Sequence, residues 1–410
     1  MVHCHLRPHT KPVVVIASLL MALSAAWPAT AQEEPAPAPA PTALTRPAPK
    51  LQYHPVKQPS WPTALEVPVG FTVEEAAAGL TSPRFMALDS DGSLVFGSHT
   101  AGKVVRLRDT RHTGHFDLQQ EVASGLTYVH SVVFVDGKLY AAAEDRVVLL
   151  DAFAPDGRAG IVQTIVDDLP VGARDLYGHR TRTLLLGPDH KLYLSIGSAC
   201  DVCEDDNPMR AVVMRMDPNG SNMQVVATGL RNSVGIAFRP QANPPELWGN
   251  DMGRNNIGPD TPPDELNLIQ PGVDYGWPYC YGDRQPDPEF NDAERCASTE
   301  SPRVLFPPHW SPLGIVFYDG AAFPAEYRGD ALIAFHGSAI DQTGDVRGGY
   351  NVVRVHFEAG QPVWQQELLR GFIEGSGAWA RPVGLVVALD GSVLISDDYS
   401  GRIFRLRYTG

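Results

Sequence analysis

Beyond residue 31 the sequence lacks an apolar run of membrane-spanning length, lacks any excess of positive charge and has little cysteine. The first absence excludes a membrane span in the mature chain, because crossing a bilayer as a helix takes about 20 apolar residues. The second, 33 Lys and Arg against 47 Asp and Glu for a net charge of −14, argues against nucleic acid or an anionic membrane as partner. An anionic ligand would need locally concentrated arginine. A sustained helical period is missing too, so nothing competes with the short strand-like runs that fill the chain. At 410 residues, 43% of them hydrophobic, the chain can still bury a large core.

Residues 1–31 carry Arg7 and Lys11, an apolar run from Val13 to Trp27 and a small-residue pattern ending at Ala31. This order reads as a cleaved secretory signal, and the alternative, an uncleaved anchor, is disfavoured by the shortness of the run. The expected location is therefore periplasmic or secreted. Residues 32–60 open on QEEPAPAPAPTALTRPAPK and are expected to form a Pro/Ala-rich linker, leaving 61–410 as the folded domain.

Cys4 leaves with the signal, so Cys200, Cys203, Cys280 and Cys296 remain for an oxidising compartment. The simplest pairing is 200 with 203 and 280 with 296, although four cysteines permit other connectivities. Glu204 follows the CDVC motif where a c-type haem site needs histidine, and Cys280 and Cys296 stand too far apart for a second zinc pair. Structural disulfides are the expectation.

Six units repeat one grammar of apolar strand, Asp-Gly-like turn and alternating strand: 79–109, 124–151, 180–198, 229–251, 311–338 and 380–408. One such sheet cannot cover both of its faces, so the repeat predicts an all-β, six-bladed β-propeller, with 252–310 and 339–350 as loop insertions above one face. A two-domain β-sandwich is the alternative and accounts for the repeats less well. Just before or at the start of the first strand of a unit stand Arg84, His130, His179, Arg231 with Asn232, and Arg381. Equivalent positions in successive blades converge over the central channel, where propellers bind ligands.

Four stretches, HRTRTLLLGPDHKLYLSIGSACDVCEDD, GLRNSVGIAF, GPDTPPDELNLIQPGVDYGWPYCYGD and FPAEYRGDALIAFHGS, together resemble the glucose/sorbosone dehydrogenase family of soluble, pyrroloquinoline quinone (PQQ)-dependent sugar dehydrogenases. The resemblance spans roughly residues 65–408 and is nearest to the sorbosone-dehydrogenase-like branch. It implies PQQ and Ca²⁺ as cofactors, oxidation of an aldose or sorbosone-like sugar, and a separate electron acceptor. His179 matches the base that takes the proton of the sugar's anomeric hydroxyl. Arg231 matches the arginine that stabilises charge on the reduced quinone, and Asn232 a polar cofactor contact. Gly258 and Pro259 match the pair whose carbonyls ligate the ion. Asp264 and Glu265 match positions in the same loop but read equally well as loop braces.

Two positions depart from the family's soluble glucose dehydrogenases: His336 stands where they carry lysine, and Val383, two residues after Arg381, where they carry a second arginine. With fewer cations for a tricarboxylate, Arg84, His336 and Arg381 become the candidate cofactor contacts. Two other classes stay open. A non-catalytic carbohydrate- or protein-binding propeller is compatible with the lost cations, whereas a calcium-dependent propeller lactonase needs carboxylate and amide ligands that this mouth, mostly Arg and His, does not offer.

Overall fold

The computed structural model describes residues 44–338 and 348–410. The expected signal over 1–31, the first part of the linker and most of the 339–350 insertion lie outside the described residues. Six four-stranded antiparallel sheets follow one another along the chain, as the repeats predict. Their first strands, Pro83–Leu88, Ser131–Val135, Arg182–Leu186, Ile236–Arg239, Pro312–Phe317 and Pro382–Val387, define blades 1 to 6. Each first strand contacts the first strand of the next blade, and that of blade 6 contacts that of blade 1, which closes a ring. The hairpin chemistry is local. Between the first two strands of blade 2, Asp136 and Gly137 take φ of 49° and 76°, the left-handed pair that a two-residue turn requires and that an Asp-Gly dipeptide accepts at low cost.

Burial follows the ring. Six apolar clusters each join two adjacent blades, for example Tyr140 and Val147 with Leu192 and Met214 between blades 2 and 3, and Trp248 and Phe306 with Ile333 and Phe357 between blades 4 and 5. A seventh and smaller cluster joins Val234, Leu313, Val383 and Phe85, on first strands or just before one, with Met252, which follows the second strand of blade 4. Val383 is fully buried there. Valine rather than arginine at this position thus has a packing reason, since a guanidinium would be set among aliphatic side chains.

The first strands approach one another at backbone distance. A Cβ on Gly235 would lie 1.9 Å from the Leu313 carbonyl, one on Gly314 2.3 Å from that of Val383, and one on Gly384 2.8 Å from that of Arg84. Blades 2 and 3 carry hydroxyls near the start of the strand instead: Ser131 Oγ donates to the Arg182 carbonyl at 2.9 Å, and Thr183 Oγ1 donates to that of Val234.

Two features differ from the sequence expectation. The outer strand of blade 6 is Phe71–Ala77, paired with Arg402–Tyr408, so the start of the domain closes the ring against its end. Part of the linker expected over 32–60 belongs to the fold: Tyr53–Val56 pairs with Leu65–Pro68, and Tyr53 donates to the Glu367 carbonyl at 2.6 Å. Proline thins out after residue 50, and the aromatic and aliphatic residues that follow have a blade edge to cover.

We expect Gly314→Ala to destabilise the fold by about 1–3 kcal/mol through overpacking of the inner ring. Its urea unfolding midpoint is the measurement, and an unchanged midpoint would show that the ring yields freely at this point.

Candidate functional site

In the hairpin that opens each blade, the beginning of the first strand pairs with the end of the second: Pro83 with Ser98, Ser131 with Ala142, Arg182 with Ile196, Pro312 with Phe335 and Pro382 with Asp397. Approaches to first strands and exits from second strands therefore share one face. The approaches bring the predicted Arg84, His130, His179, Arg231, Asn232 and Arg381. The exits add His99, Ser198, Asp251, His336 and Asp398, of which only His336 was anticipated. The same antiparallel pairing, applied to the second strand of each repeat, would have found the other four.

His179 is half-buried, and its Nδ1 faces the Ser198 carbonyl at 3.1 Å and Ser198 Oγ at 3.0 Å. The Ser198 hydroxyl donates to the Cys200 carbonyl at 2.7 Å, so both groups accept from the imidazole. Nδ1 therefore carries the hydrogen and Nε2 is the free base. Burial, then the charge of Arg231, holds this histidine well below its ordinary pKa, which keeps it neutral at physiological pH.

Arg231, 2% exposed, is almost wholly engaged. Its Nε donates to the Asp201 carbonyl at 2.8 Å, Nη1 to the carbonyls of Met252 and Gly253 at 3.1 and 3.0 Å, and Nη2 to Asp201 Oδ1 at 2.8 Å. Only one Nη2–H is uncommitted among the described residues, so Arg231 reaches the mouth chiefly through its charge. Asn232 is buried beside it, its backbone N–H on Asp251 and its Nδ2 3.3 Å from Met252 Sδ.

Across the mouth lies a second group. Asp398 accepts from Arg84 Nη1 at 2.6 Å and from His336 Nε2 at 2.9 Å, while Arg84 Nε donates to His130 Nδ1 at 3.2 Å. Burial pushes the Asp398 carboxyl up, but the charge of Arg84 and the His336 contact outweigh it and hold the group well below the usual carboxylate range. Burial lowers His336 to about 4, so at neutral pH it is a neutral donor to an ionised carboxylate. Arg381 donates to the carbonyls of His336 and Gly337 at 2.9 and 2.7 Å. Two fixed cations, Arg84 and Arg381, thus meet two carboxylates, Asp398 and Asp397, the second of which accepts from the Arg381 backbone N–H at 2.8 Å. Among the described residues two buried nitrogens, His99 Nδ1 and His130 Nε2, have no hydrogen-bond partner.

Gly258 and Pro259 sit in the 252–263 connection, between the second and third strands of blade 4 and therefore on the same face. The Gly258 carbonyl accepts from His309 Nε2 at 2.8 Å, and Pro259 is exposed. Asp264 and Glu265 brace this loop. Asp264 accepts from the backbone of Gly253 and Ser311, at 2.9 and 2.8 Å, and Glu265 from Gly282 at 2.7 Å. Gly282 belongs to the second insertion, 270–303, which carries a short hairpin and the helix Ala293–Ala297 stapled by Cys280–Cys296; the other predicted pair, Cys200–Cys203, is bonded too. A surface groove of about 690 Å³, lined by Arg239, Glu246 and Gln270, lies at the other end of blade 4, away from these groups.

A ring of six blades that brings a neutral histidine and several arginines to one mouth defines the class: a six-bladed β-propeller with a polar mouth. The chain matches the TrAA12-like family model over residues 65–409, and it belongs to that family. An uncharacterised protein of Borreliella burgdorferi is 27% identical over 84% of this chain and 91% of its own. The pyrroloquinoline quinone-dependent pyranose dehydrogenase of Coprinopsis cinerea is 25% identical over 84% of this chain; the match takes in 54% of that relative, so the chain spans about half its length. Among solved structures, the calcium structure of the Trichoderma reesei enzyme of carbohydrate-active enzyme family AA12 superposes with a TM-score of 0.71 at 23% identity, covering 88% of this chain and 98% of that one. The family-level kinship with PQQ-dependent sugar dehydrogenases that the motifs predict is borne out. Among the described residues no helix is long and apolar enough to cross a membrane.

Burial raises Glu265 to about 8 from 4.5, so the folded protein retains a proton that the unfolded chain releases. The sign follows: the contribution of this group to stability is full below about pH 4.5 and is lost as pH rises toward 8. In Glu265→Gln that loss is absent, and the amide can donate to Asn267 Oδ1, which is buried without a partner. Urea midpoints from pH 5 to 8 should diverge in favour of the variant as pH rises, whereas parallel curves would mean that the carboxyl is already ionised at pH 5.

Proposed function

We propose that this protein is an exported PQQ- and Ca²⁺-dependent dehydrogenase that oxidises an aldose or sorbosone-like sugar and passes its electrons to a separate acceptor. The observation that carries the reading is the fixed tautomer of His179, an uncharged imidazole with Nδ1 committed and Nε2 open for a substrate proton.

The residues present fit both cofactors. Arg84 and Arg381, with the His99 and His130 nitrogens that have no partner among the described residues, offer donors to a tricarboxylate. Val383 offers none, so fewer cations hold the ligand than in the soluble glucose dehydrogenases that the motifs resemble. The carbonyls of Gly258 and Pro259 suit a hard cation, and there His309 would have to release the Gly258 oxygen. Bound PQQ supplies a two-electron hydride acceptor that Ca²⁺ polarises.

The chain's own residues do the rest. His179 Nε2 takes the proton from the sugar hydroxyl oxygen as hydride leaves the carbon that bears it, and Ser198 holds the ring so that Nε2 stays the acceptor. Burial, and after it the Arg231 charge, keeps the imidazole from protonating in advance, and the same charge stabilises negative charge that develops nearby. Any contact with the ligand falls to its one uncommitted N–H.

Titration of PQQ into the purified protein with Ca²⁺, followed by dye reduction on a panel of aldoses, tests this reading. Saturable binding is expected, with turnover that falls by about 10²–10⁴-fold in His179→Ala while PQQ affinity stays near wild type. Absence of PQQ binding at micromolar concentrations would overturn the dehydrogenase reading and favour a non-catalytic sugar-binding propeller.

A further inference from the structure

The Cys200–Cys203 disulfide closes a loop so short that it constrains the unfolded chain little. Its contribution to global stability is correspondingly small, which directs attention to what the closed loop holds. Asp201, between the two cysteines, is 4% exposed and binds in four directions. Its Oδ1 accepts from Arg231 Nη2 at 2.8 Å and from the Asn255 backbone and side chain at 2.8 and 3.0 Å, and its Oδ2 accepts from Asn256 Nδ2 at 2.8 Å. Its carbonyl accepts from Arg231 Nε, and its own N–H donates to Asp175 Oδ2 at 2.9 Å, in the loop just ahead of His179. Cys200 contributes the carbonyl that orients the Ser198 hydroxyl under His179. One disulfide loop therefore touches the supports of the base, the buried arginine and the strand-to-strand connection that bears Gly258 and Pro259.

No strand includes the loop, and apart from Asp201 the ties of its acidic side chains are long or at the exposed surface: Asp205 accepts from the Ala199 N–H at 3.3 Å, and Asp206 and Glu204 are bound by Arg174 and Tyr279. The disulfide is the loop's one covalent closure. Opened, it would expose Asp201 to water and leave the Arg231 guanidinium buried without its counter-charge.

We propose that the Cys200–Cys203 loop is the positioning element of this site, with Asp201 as its positioning residue, so that reducing this one disulfide disarms the site while the propeller stays folded. The inference rests on the dehydrogenase reading for the roles of His179 and Gly258–Pro259, but the geometry of the brace is independent of it. The reductant is a dithiol: one thiolate attacks sulfur, the second resolves the mixed disulfide, and two electrons and two protons pass to the protein, leaving two cysteine thiols and an oxidised dithiol. Cys203 is partly exposed and 3.7 Å from Arg174 Nη1, whereas Cys280 and Cys296 are buried. The loop disulfide is thus the one a dithiol reaches first.

The experiment is brief dithiol treatment of the cofactor-free protein, with mass mapping of the alkylated cysteines and amide hydrogen exchange read by segment, and the same exchange on Cys200→Ser/Cys203→Ser and Asp201→Asn. Labelling of Cys200 and Cys203 ahead of Cys280 and Cys296 is expected. Exchange across 199–202 and 252–257 should quicken at least about tenfold while the blade strands keep wild-type rates. Asp201→Asn, which keeps an acceptor oxygen but not the charge, should fall between wild type and the double variant, and PQQ affinity should weaken in the same order. Wild-type exchange across 252–257 with Cys200 and Cys203 demonstrably reduced would overturn the proposal, and so would unfolding of the blades. If the wild type binds no PQQ, the functional reading fails while the exchange data still decide the brace.

Discussion

The structure depends on how closely its six innermost strands can approach one another. Where they meet, the carbonyl of one strand lies where a side chain of its neighbour would otherwise stand, and the chain meets this with glycine in blades 4 to 6 and with hydroxyls in blades 2 and 3. A carbonyl so enclosed needs a donor, and those of Arg84 and Leu313 receive one from second strands, Ser396 Oγ at 2.7 Å and Asn250 Nδ2 at 3.2 Å. The rim of the mouth is therefore set by backbone packing, and the functional side chains project from a rigid collar.

That collar divides the electrostatic work. On the side of blades 3 and 4, cation and anion are matched and enclosed: Arg231 with Asp201, and Asp251 receiving the backbone N–H groups of Arg231 and Asn232. On the side of blades 5, 6 and 1, Arg84 pairs with the ionised Asp398, Asp397 accepts the Arg381 backbone N–H, and two histidine nitrogens have no partner among the described residues. The mouth therefore sets a neutral histidine beside one enclosed ion pair and faces it with a second ion pair that leaves histidine donors unused.

Particular residues show how far a linear reading reaches. Each of the six units found by their turns is a blade, because Asp-Gly turns and β-branched runs act within a few residues of one another. The approach residues His179, Arg231 and Arg381 were found because a repeat places equivalent positions at one face. Asp398, Asp201 and Ser198 were not found, because they contribute through partners some 20 to over 300 positions away. The engagement of Arg231 was equally hidden: a guanidinium that matches a cofactor contact in sequence spends four of its five donors on Asp201, Met252 and Gly253.

By itself, the sequence determined the strands, their turns and the sixfold repeat, all of which rest on local conformational preference and short separations, whereas the cysteine pairing was fixed only by the fold. Tertiary structure alone decided that Phe71–Ala77 completes the last blade, that Val383 packs in an apolar cluster, and that Asp201 of the CDVC loop pairs with Arg231. Each of these depends on which surfaces meet once the ring closes, and closure is a property of all six blades together.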